Sequence, residues 1–505
     1  MPDIDSAFLA LPARELAGAA LERATELGCE HADFRLERIR TGMHSLRDGR
    51  LDSSSDREDV GLAVRVLHDG AWGFASGIAR TASAAKELAD QAVATAKVSR
   101  VLSAAPVLLA PEPVYSDATW ISSYEFNPFD ISETDRVARL VELSERLLAA
   151  DGVDHVDAHV EMVLENKFYA DLHGTTTTQQ RVRIAPALTA VHVDRAEGNF
   201  FSMRTLAPAA GRGWEYLTGT GWDFDAEVDQ LPELLREHVK APSVEAGSYD
   251  VVIDPSNLWL TIHESIGHAT ELDRALGYEA AYAGTSFATP DKLGSLKYGS
   301  PVMNVTGDRT VENGLATIGY DDEGVMTQQF DIVKDGVLVG YQLNRQMAHD
   351  NAHILGTDRS NGCAFADSAG HIPLQRMANV SIQPAPDGPS TAELISGVER
   401  GIYIVGDRSW SIDMQRFNFQ FTGQQFHRIE NGKLVGQVRD VAYQATTTDF
   451  WGSMEAVGGP ETYVLGGVFT CGKGQPGQVA AVSHGCPAAL FRGVNILNTK
   501  NEAGR

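Results

Sequence analysis

Residues 263–273 read HESIGHATELD. Two imidazoles around a carboxylate are the donor set of a metal-dependent hydrolase, whose familiar form is His-Glu-x-x-His on one helical face. Here the second histidine follows the first by five residues, not four. In a regular α-helix that spacing turns the side chains about 140° apart, with about 7.5 Å of rise between them. Rings so placed do not readily share one zinc at about 2.0–2.1 Å. One π-bulge absorbs the extra residue and returns the pair to one face; such bulges recur at functional sites. The motif therefore predicts a metal site on condition that the helix bulges near Ile266-Gly267, where Gly267 has no Cβ to resist the distortion.

Each residue then has a task. Neutral rings of His263 and His268 would bind the ion, and Glu264 would be the general base toward a metal-activated water and later the acid toward the leaving amine. A catalytic zinc wants a third protein ligand. Glu271 and Asp273 are near in sequence; Cys363, Cys471 and Cys486 are distant, and spacing alone does not choose among them. His484, two residues before Cys486, is a supporting residue at most. Were Glu271 or Asp273 a fourth ligand, the site would be closed and structural, since a hydrolytic zinc keeps a position open.

The surrounding elements must hold this helix. Asp254-Pro255 supplies an N-cap and a first-turn proline, and Leu258, Ile262, Ile266 and Ala269 form an apolar stripe that leaves both histidines off it. Before it, ARELAGAALERATELG and SAAKELADQAVATAKVSRVL read as helices around strands that turn at Asp69-Gly70. Residues 130–151 and FDAEVDQLPELLREHVKAP read as two further helices flanking long alternating strands. Beyond Gly247 strands dominate, with hairpins at Asp335-Gly336 and Asn431-Gly432. The expected class is α+β: N-terminal helix/sheet units followed by a β-rich C-terminal domain that carries the HExxxH helix. The expected division is an N-terminal unit 1–105, a proline-rich linker 106–128, a central unit 129–246 and a C-terminal metallopeptidase domain 247–505.

The bulk numbers exclude several classes. The 505 residues exceed one ordinary core, so two or three domains are expected. A formal charge of −26 argues against nucleic acid or an anionic membrane as partner. The acidic residues of MPDIDSAFLALPARE do not read as a secretory signal, and no apolar run is long enough to span a bilayer, so a cytoplasmic location is expected. Four irregularly spaced cysteines indicate neither a disulfide framework nor a zinc ribbon. The run Asp321-Asp322-Glu323 reads as a solvated turn, Trp410 and Trp451 as packing a sheet or lining a groove, with core packing the favoured reading, and His155 and His159 as structural or exposed.

HESIGHATELD together with SNGCAFADSAGHIPLQRMANVSIQP and VFTCGKGQPGQVAAVSHGCPAALF resembles the TldD branch of the TldD/PmbA (TldE) metallopeptidase family, over nearly the whole chain and most strongly from about residue 248. TldE-type subunits lack the histidine motif, so the resemblance puts this chain on the catalytic side. It implies Zn2+ held by His263, His268 and Cys471, the Cys-Gly-Lys context choosing Cys471 over the other thiols. It implies Glu264 as catalytic base, unfolded or modified peptides bound as an extended strand in an enclosed cavity, and a heterodimer with a TldE/PmbA-type subunit or self-association. Asn361 and Gly362 become candidates for the substrate groove, although Cys363 stands where many relatives carry a basic residue. The rival reading is a peptide-binding or maturation scaffold with a structural zinc and little hydrolysis.

Overall fold

Strands that alternate apolar and charged residues build a sheet with two unlike faces. In the computed structural model, which describes residues 3–474 and 476–502, the first of these are β1 (His31–Arg47), β2 (Arg50–His68) and β3 (Ala71–Gly77). Asp69 and Gly70 both take positive φ at the β2–β3 turn, the twist a two-residue hairpin needs. Then come β4 (Ala118–Ile121), β5 (His155–Asp171), β6 (Thr176–Asp194) and β7 (Asn199–Arg204). All seven join one sheet, in the order β3-β2-β1-β5-β6-β4 with β7 on β6. β1 and β5 pair antiparallel from Asp33 opposite Asp171 to Arg47 opposite Asp157, so strands of the 1–105 and 129–246 segments share this sheet.

Period-two alternation sorts its side chains. Phe34, Leu36 and Val64 join a cluster with Leu16, Leu88 and Ala92 of helices Ala13–Glu26 and Ala82–Leu102. A separate cluster sets Val160 and Ile184 against helices Glu133–Leu148 and Phe224–Lys240. The intervening residues are charged and equally buried: Asp33, Arg35, Glu37, Arg65, Glu165, Lys167, Arg181 and Arg183. They meet the C-terminal part of the chain through ions. Lys167 Nζ lies 2.6 Å from Asp322 Oδ1, and Arg65 Nη1 lies 3.0 Å from Glu323 Oε1. The Asp321–Glu323 run is therefore not the solvated turn expected from its composition. All three carboxylates are buried, two as counter-ions of the sheet and Asp321 as acceptor of the Glu323, Val325 and Ala364 N–H groups.

The C-terminal part is sheet-rich, and the fold is α+β. β8 (Gly247–Ile253) pairs with Arg400–Ile412 on one side and Ala489–Asn498 on the other. Val441–Thr446 and Asn418–Glu430 continue the sheet, and Asn418–Glu430 pairs back onto Arg400–Ile412, so five strands form a closed circuit. A two-stranded hairpin, Val464–Lys473 with Gln478–Cys486, stands apart from it. Among the described residues no helix is long and apolar enough to cross a membrane.

Candidate metal centre

The chain leaves β8 at Asp254, whose carboxylate caps the next helix by accepting from Ser256 N–H at 3.0 Å. Helix Pro255–Ile262 then widens: His263–Gly267 is π-helix, and the His268 N–H bonds the His263 carbonyl five residues back. This is the bulge that the five-residue histidine spacing requires. Its loosened carbonyls are met by buried side chains, with Gln342 Nε2 donating to Gly267 O at 2.7 Å and Thr270 Oγ1 to Ile266 O at 2.8 Å. Gly267 itself sits at φ −53°, ψ −60°, an ordinary helical conformation. What it lacks is room: a Cβ there would lie 2.6 Å from Met377 Sδ and 3.4 Å from His484 Cε1.

The widened turn brings the His263 and His268 rings to 4.7 Å between centroids. Cys471 arrives from the far hairpin. Val468 faces Val482 while Cys471 faces Ala480, a step of three residues against two. That bulge lets Cys471 share a sheet face with Val468, and bulges re-aim side chains in this way. Cys471 Sγ lies 3.6 Å from His268 Nε2. One donor atom from each of His263, His268 and Cys471 falls within 4.8 Å of the others, all three residues buried.

Hydrogen bonds fix which atoms are free. Glu271 Oε2 lies 2.8 Å from His268 Nδ1, so His268 donates there and keeps its Nε2 lone pair on the Cys471 side. His263 Nδ1 lies 2.7 Å from His484 Nε2. Glu264 accepts from Arg416 Nη1 at 2.9 Å. Asp273 and Glu271 share the buried ammonium of Lys473, at 2.8 and 3.1 Å.

Electrostatics follow from this packing. Burial pushes the Cys471 thiol up, but His268 and Arg376 outweigh it and the net shift is downward. Burial likewise raises Glu264, and His268, His263 and Arg416 together bring it below the usual carboxylate range. Glu271 is held well below that range because Lys473 and His268 overcome its burial. Burial pushes His263 down, and burial with the neighbouring His263 pushes His484 well down, which keeps both rings neutral. A thiol shifted toward its ionised form, two imidazoles and an adjacent carboxylate held below its usual range suit a borderline-soft divalent ion.

These groups line one wall of a cleft of about 550 Å³. His159, Pro186 and Arg204 come to it from the first sheet, and Trp259, Trp410 and Gly467 from the C-terminal part. Asn361 and Gly362 are not brought to it. The Asn361 amide accepts from Leu343 N–H and donates to Tyr341 O, both at 2.8 Å, and Gly362 O accepts from Arg309 at 2.9 Å, so the geometry uses both to shape a loop. Arg416 had no local signal in sequence, since it reaches Glu264 from 152 residues away; Lys473 was visible only as part of the Cys-Gly-Lys run and His484 only as a supporting residue, and their contacts with Glu271 and His263 span more than 200 residues.

The family described as PmbA/TldA metallopeptidase C-terminal domain matches residues 246–498, and PmbA/TldA metallopeptidase domain 1 matches residues 32–96. A metalloprotease of Methanocaldococcus jannaschii is 25% identical over 438 residues, covering 86% of this chain and 91% of the relative. A protein named zinc metalloprotease TldD homolog, from Saccharolobus solfataricus, is 22% identical over 92% of this chain and 96% of its own length. The crystal structure of TldE from Thermococcus kodakarensis has the same fold, with a TM-score of 0.70 and 16% identity over 95% of this chain and 99% of that one.

Proposed function

Since the chain belongs to the PmbA/TldA metallopeptidase family, we propose that it is a zinc peptidase of the TldD type acting on unfolded or modified peptides. His263, His268 and Cys471 are its ligands and Glu264 its general base. The observation that carries this is the π-turn His263–Gly267, which unites the donors of the two histidines with Sγ of Cys471 within 4.8 Å.

A bound zinc supplies Lewis acidity, polarising a peptide carbonyl and lowering the pKa of water. The chain does the rest. Glu264, ionised and beside the first ligand, takes a proton and later returns it to the departing amine. Arg416 fixes that carboxylate by one oxygen. Glu264, His263, His268 and Cys471 are themselves buried, which strengthens each charge interaction among them. Among the described residues Val464–Lys473 pairs with one strand and has none on its other edge, and Gly466 to Gly472 of that strand line the cleft. An extended peptide can pair with such an edge through its main chain, with little demand on its side chains.

A closed structural zinc is less well supported. Glu271 is turned to the Nδ1 of His268 and Asp273 to Lys473, so neither carboxylate joins the three donors. A TldE/PmbA-type partner, or a second copy of this chain, completes the reading, and the four free thiols accord with a reducing cytoplasm.

The test is zinc content with hydrolysis of a denatured protein substrate, assayed with and without a TldE-type chain. Glu264→Ala keeps the metal and loses turnover. Cys471→Ala loses metal where Cys363→Ala and Cys486→Ala keep it. Unaltered zinc binding by Cys471→Ala would refute the ligand set, and a zinc-loaded chain inert under every pairing would favour the scaffold.

A further inference from the structure

His484 is fully buried and both of its ring nitrogens are engaged. Its Nδ1 lies 2.8 Å from the carbonyl oxygen of Val380. A carbonyl only accepts, so that nitrogen carries the proton. In a neutral ring the other nitrogen, Nε2, is then an acceptor. It faces His263 Nδ1 at 2.7 Å, so His263 must donate. The proton of His263 is thereby assigned to Nδ1 and its lone pair to Nε2. One backbone carbonyl, acting through an intervening imidazole, sets the tautomer of a residue in the histidine motif.

The ring is also held in place. Trp259 stacks on it with centroids 6.3 Å apart and planes 12° from parallel. The indole can sit there because Gly466 has no Cβ; one would fall 2.5 Å from Trp259 Cγ. Gly466 is also the residue that pairs with His484 across the hairpin. Gly485 N–H, the next residue along, is tied to Ser381 Oγ at 2.9 Å, so the backbone around His484 is anchored to the strand that provides Val380.

We infer that His484 is the positioning residue of the metal centre: it holds His263 as the Nδ1–H tautomer with Nε2 ready to bind, as Glu271 does for His268. The inference rests on the zinc reading above and deepens it. It also explains why two dissimilar partners serve two equivalent ligands. A carboxylate beside both rings would add a second buried negative charge near Cys471, whereas a neutral imidazole relay orients His263 without one.

The test is zinc affinity by chelator competition on the full chain, with cobalt(II) spectra as a second readout. Loss of such a supporting partner typically weakens a site about 10–100-fold. His484→Leu is expected to fall in that range and to alter the cobalt ligand-field bands. His484→Gln, whose amide oxygen can accept from His263, is expected within about threefold of the parent. A folded His484→Leu that binds zinc within about twofold of the parent overturns the inference, because a ring that merely filled space would leave affinity unchanged. So does His484→Gln as weak as His484→Leu. If His484→Leu fails to fold, His484→Gln decides alone: near-parental affinity supports the relay and lost affinity overturns it. A parent chain that takes up no zinc refutes the metal reading and this inference with it, whereas a zinc-binding parent with an indifferent His484→Leu refutes only the inference.

Discussion

Lys473 Nζ lies 3.1 Å from Glu271 Oε1, and Glu271 Oε2 lies 2.8 Å from His268 Nδ1, so one buried ammonium balances the carboxylate that orients His268. The same ammonium serves Asp273 at 2.8 Å and Glu279 at 3.4 Å. Removing it leaves three carboxylates without their shared cation. Breaking a buried pair by deleting one partner costs about 3–5 kcal/mol. Lys473→Met is expected to lose stability on that scale in urea unfolding. A loss under about 1 kcal/mol would mean that Arg274, 3.1 Å from Glu279 and 3.6 Å from Glu271, suffices as counter-ion.

Arg416 reaches Glu264 from the turn between Arg400–Ile412 and Asn418–Glu430, at φ 61°. Its own carbonyl is pinned by Thr447 Oγ1 at 2.8 Å. It touches the carboxylate and none of the three donors, so its removal should separate catalysis from metal binding. Arg416→Ala is expected to keep its zinc and to lose about 10–100-fold in peptide turnover, less than the 10²–10⁴ typical of a lost general base. Arg416→Lys should recover part of the loss, because the charge returns without the guanidinium fork. Lost zinc in Arg416→Ala would show that the arginine supports the whole centre.

Local features were legible in the sequence where local physics decides them. The three Asp-Gly and Asn-Gly hairpins appear with positive φ at both residues, and the helix cap at Asp254 forms as its type demands. The five-residue histidine spacing foretold the π-turn because a regular helix leaves few other ways to unite those rings. Non-local features were not legible. Residue type did not decide which tryptophan packs and which lines a groove: Trp451 is in the core, and Trp410 is half exposed on the cleft. His159, read as structural or exposed, is exposed and also lines it. Asp321–Glu323 looks like a turn because it is one; that a charged sheet lies against it depends on strands beginning some 290 residues earlier, as the Asp33–Arg65–Glu323 contact makes plain.

That turn makes stability depend on pH. Burial, with Glu323 close by, pushes Asp321 up to about 7, against three backbone N–H groups that favour its ionised form. In the unfolded chain an aspartate titrates near about 3.9. Below that value both states hold the proton. Between there and about 7 only the folded state does, so this group's contribution to stability is lost as pH rises across that window. Asp321→Asn cannot titrate. Denaturation midpoints measured from pH 5 to 8 should fall less steeply for the variant than for the parent, whatever constant offset the amide introduces. Parallel curves would place the folded titration of Asp321 outside this range.

Gly267 separates two explanations of one residue. If glycine were needed to let the backbone distort, any side chain there would cost the same whatever surrounds it. The helical φ of −53° speaks instead for space, and Met377 Sδ occupies the position that a Cβ would need, 2.6 Å away. Overpacking of this kind costs about 1–3 kcal/mol. Gly267→Ala is expected to destabilise by that amount in the parent and by clearly less in a Met377→Ala background. The double-mutant cycle should therefore give a coupling of about 0.5–3 kcal/mol with the sign of mutual relief. Additive losses would return the argument to backbone freedom, and with it to the reading that sequence alone supports.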